Sequence, residues 1–270
     1  MSYGVRVGVR ATDPDVLTRV VGLLPPGWKP ARPGTVERLY SLRVGGAQTR
    51  PGLRRFNLLY ADAYRLSRKM ELDDVLKALE SDLQLYVAEQ ARRRVFVHAG
   101  VVRWRGQGIV IPGRSLSGKS TLVRELVKAG ATYYSDEYAV CDSQGRVHPY
   151  PKPLSLRENG DGRPKPLGAK AMEGIGRPGV KPLPVGLIVV TKYRPGARWR
   201  PRQLSPGRSV MALLKHTVSA RRQPRVAFTT LRQAVSGSGA LVLQGARGEA
   251  DEMVESLLHR ASEHAAQVPA

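Results

Sequence analysis

Residues 113–121 read Gly113-Arg114-Ser115-Leu116-Ser117-Gly118-Lys119-Ser120-Thr121, which fits the pattern G-x-x-x-x-G-K-[ST]. Glycines let such a loop curl until consecutive backbone N–H groups converge on one point. The N-terminus of a following helix adds its partial positive charge at that point. This is chemistry for a phosphate chain. Lys119 would neutralise the β- and γ-phosphates of a nucleoside triphosphate, and the Ser120 hydroxyl would ligate Mg²⁺. One hydroxyl does not hold Mg²⁺ alone, so carboxylates must come from elsewhere. Asp136 and Glu137, at the end of the next apolar stretch, are the obvious pair. Asp136 could bind the metal, directly or through water, or accept a proton from an attacking hydroxyl. His98 precedes the loop and, on spacing alone, reads as a packed or hydrogen-bonded strand histidine. His148, His216, His259 and His264 show no metal-ligand spacing and are expected to be structural or exposed. The basic stretch Lys152, Arg157, Arg163, Lys165, Lys170 and Arg177 suits an acidic acceptor or a cover for the phosphates, and equally a solvated loop.

The elements that must place these groups follow from periodicity. A strand over 95–104 turns at 106–108 into a second over 109–112, and the loop then leads into a helix over 119–128 closed by Gly130. A strand over 131–135 delivers Asp136-Glu137, an order expected to bring the acids to the loop's edge of a parallel sheet. A strand over 138–141 turns at 142–145, and residues 146–183, rich in Pro, Gly and Lys, read as a long functional loop with short strands. A buried strand over 185–191, a helix over 205–219 with Ser205 as cap and Pro206 in its first turn, and an amphipathic helix over 249–264 complete this part. Upstream, residues 3–11 alternate as a strand. Asp13 and Pro14 start a helix to about residue 24, and Pro25-Pro26-Gly27 ends it. Strands over 36–44 and 54–60 and an amphipathic helix over 71–92 follow. Residues 1–92 thus form a small α+β region with no chemical motif, assigned structure or partner recognition. Residues 93–270 form the nucleotide-binding part.

Hydrophobic residues make up 41% of the 270 and charged residues 24%, which supports a folded core. No apolar run approaches the roughly 18 residues that span a bilayer. The first residues lack the apolar core of a signal peptide. The single cysteine, Cys141, excludes a disulfide framework and a Cys-based zinc site, so the expectation is a reduced, cytoplasmic protein without membrane association. The 44 basic against 22 acidic residues give a formal charge of +22, which predicts attraction to phosphate-rich or acidic partners.

Several of these residues together resemble the kinase domain of the HPr kinase/phosphorylase family, which phosphorylates a serine of a phosphocarrier protein. The matching segments are Phe96-Val97-His98-Ala99-Gly100-Val101, Gly113 to Ser120, and Ser135-Asp136-Glu137. A group of HPr-kinase-like proteins is more similar still, with a Pro-aromatic-Pro-Lys/Arg-Pro-Leu-Ser-Leu segment that stands here as Pro149-Tyr150-Pro151-Lys152-Pro153-Leu154-Ser155-Leu156. The resemblance covers about residues 93–260. It implies an α/β fold: a P-loop kinase domain with a mixed sheet and flanking helices, after a small α+β N-terminal region. It also implies ATP and Mg²⁺ as cofactors, His98 beside the reacting phosphate, and Asp136 as general base. Glu137 replaces the family's second Asp and adds a methylene. Leu116 stands where such loops commonly carry another glycine. The family's Arg-Gly-Leu-Gly signature is degenerate here as Glu173-Gly174-Ile175-Gly176, so phosphorolysis is not carried over. Oligomers are frequent in that family, but no interface is legible in the sequence.

The expected function is therefore ATP-dependent phosphoryl transfer to a hydroxyl, with serine of a protein or peptide as the leading acceptor. A non-kinase nucleotide-binding module that holds nucleic acid is the second reading. Scattered basic residues, only 6% aromatics and no helix-turn-helix, zinc-finger or RNP-like string argue against it. A small-metabolite kinase needs the same phosphate machinery and is the third.

Overall fold

The computed structural model describes residues 1–45, 55–114, 117–156, 165–166 and 176–267. The chain divides into two compact units, Met1–Arg93 and Arg94–Ala270. Both are mixed α/β, with sheets flanked by helices.

The first unit is a four-stranded sheet of β1 (Val7–Ala11), β2 (Arg38–Arg43), β3 (Asn57–Ala61) and β4 (Tyr64–Lys69), in that order. β1 and β2 are parallel, which requires a crossover, and α1 (Asp15–Val21) supplies it. The 19-residue helix α2 (Leu72–Gln90) turns Val75, Leu76, Leu79, Leu83 and Val87 onto Tyr40, Leu42 and Leu59 of the sheet. α1 begins one turn-position later than the sequence suggests. Pro14 occupies the cap position itself, and the Asp13 carboxylate accepts the Asp15 N–H at 3.0 Å.

The second unit holds a mixed sheet. Its strands are β5 (Val95–Trp104), β6 (Gln107–Pro112), β7 (Thr132–Ser135), β8 (Tyr138–Cys141), β9 (Val147–His148), β12 (Val185–Tyr193), β13 (Arg202–Gln203) and β14 (Leu241–Arg247). The order is β13-β14-β12-β6-β5-β8-β9, with β7 also on β5. A separate two-stranded ribbon pairs β10 (Ser155–Leu156) with β11 (Lys165–Pro166). Helices α3 (Lys119–Lys128) and α6 (Asp251–Gln267) bury their apolar sides with Leu187, Val189 and Leu243. Helices α4 (Pro206–Leu214) and α5 (Pro224–Arg232) pack with Ile188, Val242 and Val185 in a second cluster.

The strand that delivers the acids is not part of a parallel pair, contrary to the sequence expectation. β7 runs antiparallel to β5, and β6 is antiparallel to β5 on its other side. Two antiparallel steps restore the direction, so β6 and β7 point the same way and end at the same edge. The helix expected over 205–219 stops at Leu214, and a 3₁₀ turn, Val218–Arg221, follows it.

Candidate active site

β5 is the spine of the site. Opposite its first half lies β8, and opposite its second half lies β7, so Asp136 and Glu137 occupy the break between the two. Three segments bond to neighbouring residues of β5. The Gly113 N–H donates to the His98 carbonyl at 3.0 Å, the His98 N–H donates to the His216 carbonyl at 2.8 Å, and the Ala99 N–H donates to the Glu137 carbonyl at 3.2 Å. The start of the loop, the acidic pair and the end of α4 are thereby fixed around His98 and Ala99. Close packing explains Gly100: a Cβ there would stand 2.5 Å from Val123 Cγ2 on α3. Only a glycine lets the loop's helix approach this near.

The loop ends in a left-handed residue. Gly118 has φ +81°, a conformation that other L-residues adopt at a cost of about 1 kcal/mol or more. Its carbonyl accepts the Leu122 N–H at 3.2 Å and the Arg247 guanidinium at 3.0 Å. Arg247, at the end of β14, is 2% exposed and also donates to the Gly248 carbonyl at 2.9 Å. Its Nε has no partner among the described residues, and burial holds its pKa below the usual guanidinium range. A buried cation therefore supports the loop from beneath. The Lys119 ammonium folds back to the Arg114 carbonyl at 2.9 Å, and the Ser117 N–H bonds the same residue's carbonyl at 3.2 Å. Among the described residues Ser117 Oγ is buried without a partner. Thr121 lies in the first turn of α3; Ser115 and Leu116 lie outside the described residues.

Asp136 is buried, at 7% exposure, and reaches the loop directly. Ser120 Oγ donates to its Oδ2 at 3.1 Å. Its Oδ1 lies 3.2 Å from the Tyr133 hydroxyl, which is nearer still, 2.7 Å, to the Lys152 carbonyl. Burial and the Asp136 charge push the Tyr133 phenol far up, so Tyr133 stays protonated, with one O–H to share between these two acceptors. The Glu137 Oε1 is 3.9 Å from His98 Nδ1. Ser120 and Asp136 are hard oxygen donors suited to Mg²⁺. Among the described residues no three His, Cys, Asp or Glu side chains gather into a metal cluster. Two such donors fit a Mg²⁺ that shares its coordination with phosphate oxygens, which is how that ion is commonly held.

Burial holds the Lys119 amine below its usual range, against the pull of Glu137 and Asp136. Burial and then the Lys119 charge lower His98, with a backbone contact at Glu137 opposing them. His216 is lowered by burial, then by Lys119, Arg114 and His98. Cationic and basic groups thus crowd one place at the strand ends. Arg247 was missed by sequence reasoning, and His216, expected to be structural or exposed, bonds β5 through its carbonyl, with its ring lowered by the same cations. Each comes from an element far along the chain, and neither sits in a local motif. Of the predicted basic stretch, Lys152 contributes its carbonyl, and Arg157, Arg163, Lys170 and the Lys165 side chain lie outside the described residues.

Among known proteins, no family model matches the chain and no curated protein matches it in sequence. The resemblance to the HPr kinase family therefore rests on its motif residues alone. Among the described residues, no helix is long and apolar enough to cross a membrane.

Proposed function

We propose that residues 94–270 form an HPr-kinase-like phosphotransferase that moves the γ-phosphoryl group of ATP to a hydroxyl, that of a serine in a protein or peptide. The observation that supports this most is the 3.1 Å bond between Ser120 Oγ and Asp136 Oδ2. It joins the hydroxyl of a phosphate-binding loop to a buried carboxylate at the end of a neighbouring strand.

In this reading the loop N–H groups, the α3 N-terminus and Lys119 hold the phosphate chain. Mg²⁺, held by Ser120 and Asp136 when bound, would neutralise charge on the β- and γ-phosphates. Asp136 positions the acceptor hydroxyl and takes its proton as the oxygen–phosphorus bond forms and the bond from Pγ to the β–γ bridging oxygen breaks. ADP leaves with the electron pair of that bond. Tyr133 fixes the Asp136 carboxylate without competing for the proton. His98, with the Glu137 carboxylate 3.9 Å from its Nδ1, lies beside the phosphoryl group. Positioning and electrostatics account for most of such catalysis.

Incubation with γ-labelled ATP and a panel of serine peptides and hydroxylated metabolites tests the proposal. Label on polypeptide serine, lost in Asp136→Asn, is the expected result. Label on metabolites alone would move the acceptor class, and no transfer to any acceptor would overturn the reading.

A further inference from the structure

A second basic feature lies on the same sheet, outside the loop. A cleft of about 430 Å³ opens where β12 and β14 end, lined by nine residues that include Lys192, Arg194, Arg200 and Arg202. Basic residues form 44 of the 270 in the chain, so four in nine is a concentration. Among the described residues no acidic one lines the cleft. All four cations are exposed. The only side-chain bond found for them among the described residues is from Arg202 to the Gln244 amide oxygen, at 3.1 Å. They repel one another and form no ion pair among the described residues, which raises the local potential for an anion.

Topology puts this cleft beside the candidate active site. β6, β12 and β14 are mutually parallel, so the cleft and the loop share one edge, where ligands of open α/β sheets bind. The link is direct: the Arg194 N–H donates to the Arg247 carbonyl at 2.9 Å, and the Arg247 guanidinium donates to Gly118. Val190 pairs with Gln244 and Lys192 with Ala246, and these two pairs continue the α4 side of the sheet, the side from which His216 comes.

We infer that this cleft binds a carboxylate-rich peptide segment, the acidic flank of the polypeptide that carries the acceptor serine. The acceptor part of this inference rests on the phosphotransfer reading; the anion-binding part does not. An aspartate- or glutamate-rich segment offers a carboxylate for each guanidinium, with the two-pronged geometry that arginine prefers. Nucleic acid fits less well, because no aromatic side chain lines the cleft for bases to stack on.

The test uses the full chain and labelled peptides with one serine flanked by glutamates or, as control, by glutamines. Fluorescence anisotropy is expected to give binding of the glutamate peptide that weakens from about 0.05 M to about 0.5 M salt. The glutamine peptide and the Arg200→Glu/Arg202→Glu variant should each bind at least about tenfold more weakly. Arg200→Gln/Arg202→Gln gives an intermediate loss and guards against a folding defect, which circular dichroism checks. Lys119→Ala should keep full peptide affinity, so loss of nucleotide binding and loss of this cleft are read separately. Equal affinity for both peptides, no effect of charge reversal in the folded variants, or displacement by a single-stranded oligonucleotide at lower concentration than by the peptide would each overturn the inference.

Discussion

At the scale of single residues, Lys119 and Asp136 have separable tasks. In the proposed reading Lys119→Ala removes the ammonium that would face the phosphates, and it is expected to abolish measurable nucleotide binding. Asp136→Asn keeps the size and one acceptor oxygen, so nucleotide should still bind. Transfer should fall by about 10²–10⁴-fold, the usual contribution of a positioned general base. Single-turnover label transfer alongside equilibrium binding checks both; full transfer by purified Asp136→Asn would remove the base assignment. The two histidines make a pH prediction. His98 and His216 titrate below the ordinary value of 6.5 because burial and Lys119 disfavour their charged forms. Between the lowered and ordinary values the unfolded chain binds more protons than the folded one, so stability rises with pH there. The stability these histidines contribute is complete above about pH 6.5 and is lost as the pH falls through their folded-state values. Thermal melts from neutral to mildly acidic pH should therefore fall more steeply for the native chain than for His98→Gln/His216→Gln. Parallel curves would contradict the environment described for these rings.

At the scale of elements, the site depends on how closely α3 packs on β5 and on what holds the loop from below. Gly100→Ala places a methyl against Val123 and should cost about 1–3 kcal/mol, read as a lowered melting temperature, with nucleotide affinity reduced as α3 shifts. Arg247→Met removes the bond to the Gly118 carbonyl and should weaken nucleotide binding about tenfold, since a charge-assisted bond contributes roughly 1.5–3 kcal/mol. Unchanged affinity in a folded variant would deny Arg247 its supporting role. The same elements explain what could be read from the sequence. β5, β8 and α3 carry strong periodicity and clear turn or loop signals, and their bounds match the spacing. β4 was missed because Tyr64–Lys69 is mostly exposed and basic, leaving no alternation to detect. α5 was missed because it sits among basic residues, and β14 because it follows a Ser/Gly-rich turn without alternation; both depend on tertiary packing: Ala227 and Leu231 bury against the sheet, and Leu241–Arg247 pairs with a strand about fifty positions earlier in the chain. The loop and the acids were legible because one local motif contains each. Their meeting through β5, which neither borders in sequence, was expected from strand order but with the wrong neighbour direction.

At the scale of the molecule, the cores are separate. The cluster around Leu59, Leu79 and Leu83 lies wholly within the first unit, and the two clusters around the second sheet lie wholly within the second. A fragment of residues 94–270 is therefore expected to melt cooperatively and to bind nucleotide with the affinity of the whole chain, as scanning calorimetry and equilibrium binding would show. A fragment that is unfolded, or folded but unable to bind, would mean that the first 93 residues complete the site. The most direct test of the central claim is calorimetric titration of the full chain with Mg-ATP. Saturable binding at one site per chain, absent in Lys119→Ala, is the predicted result. A flat titration of the folded chain with ATP and with every other common nucleoside triphosphate would contradict it.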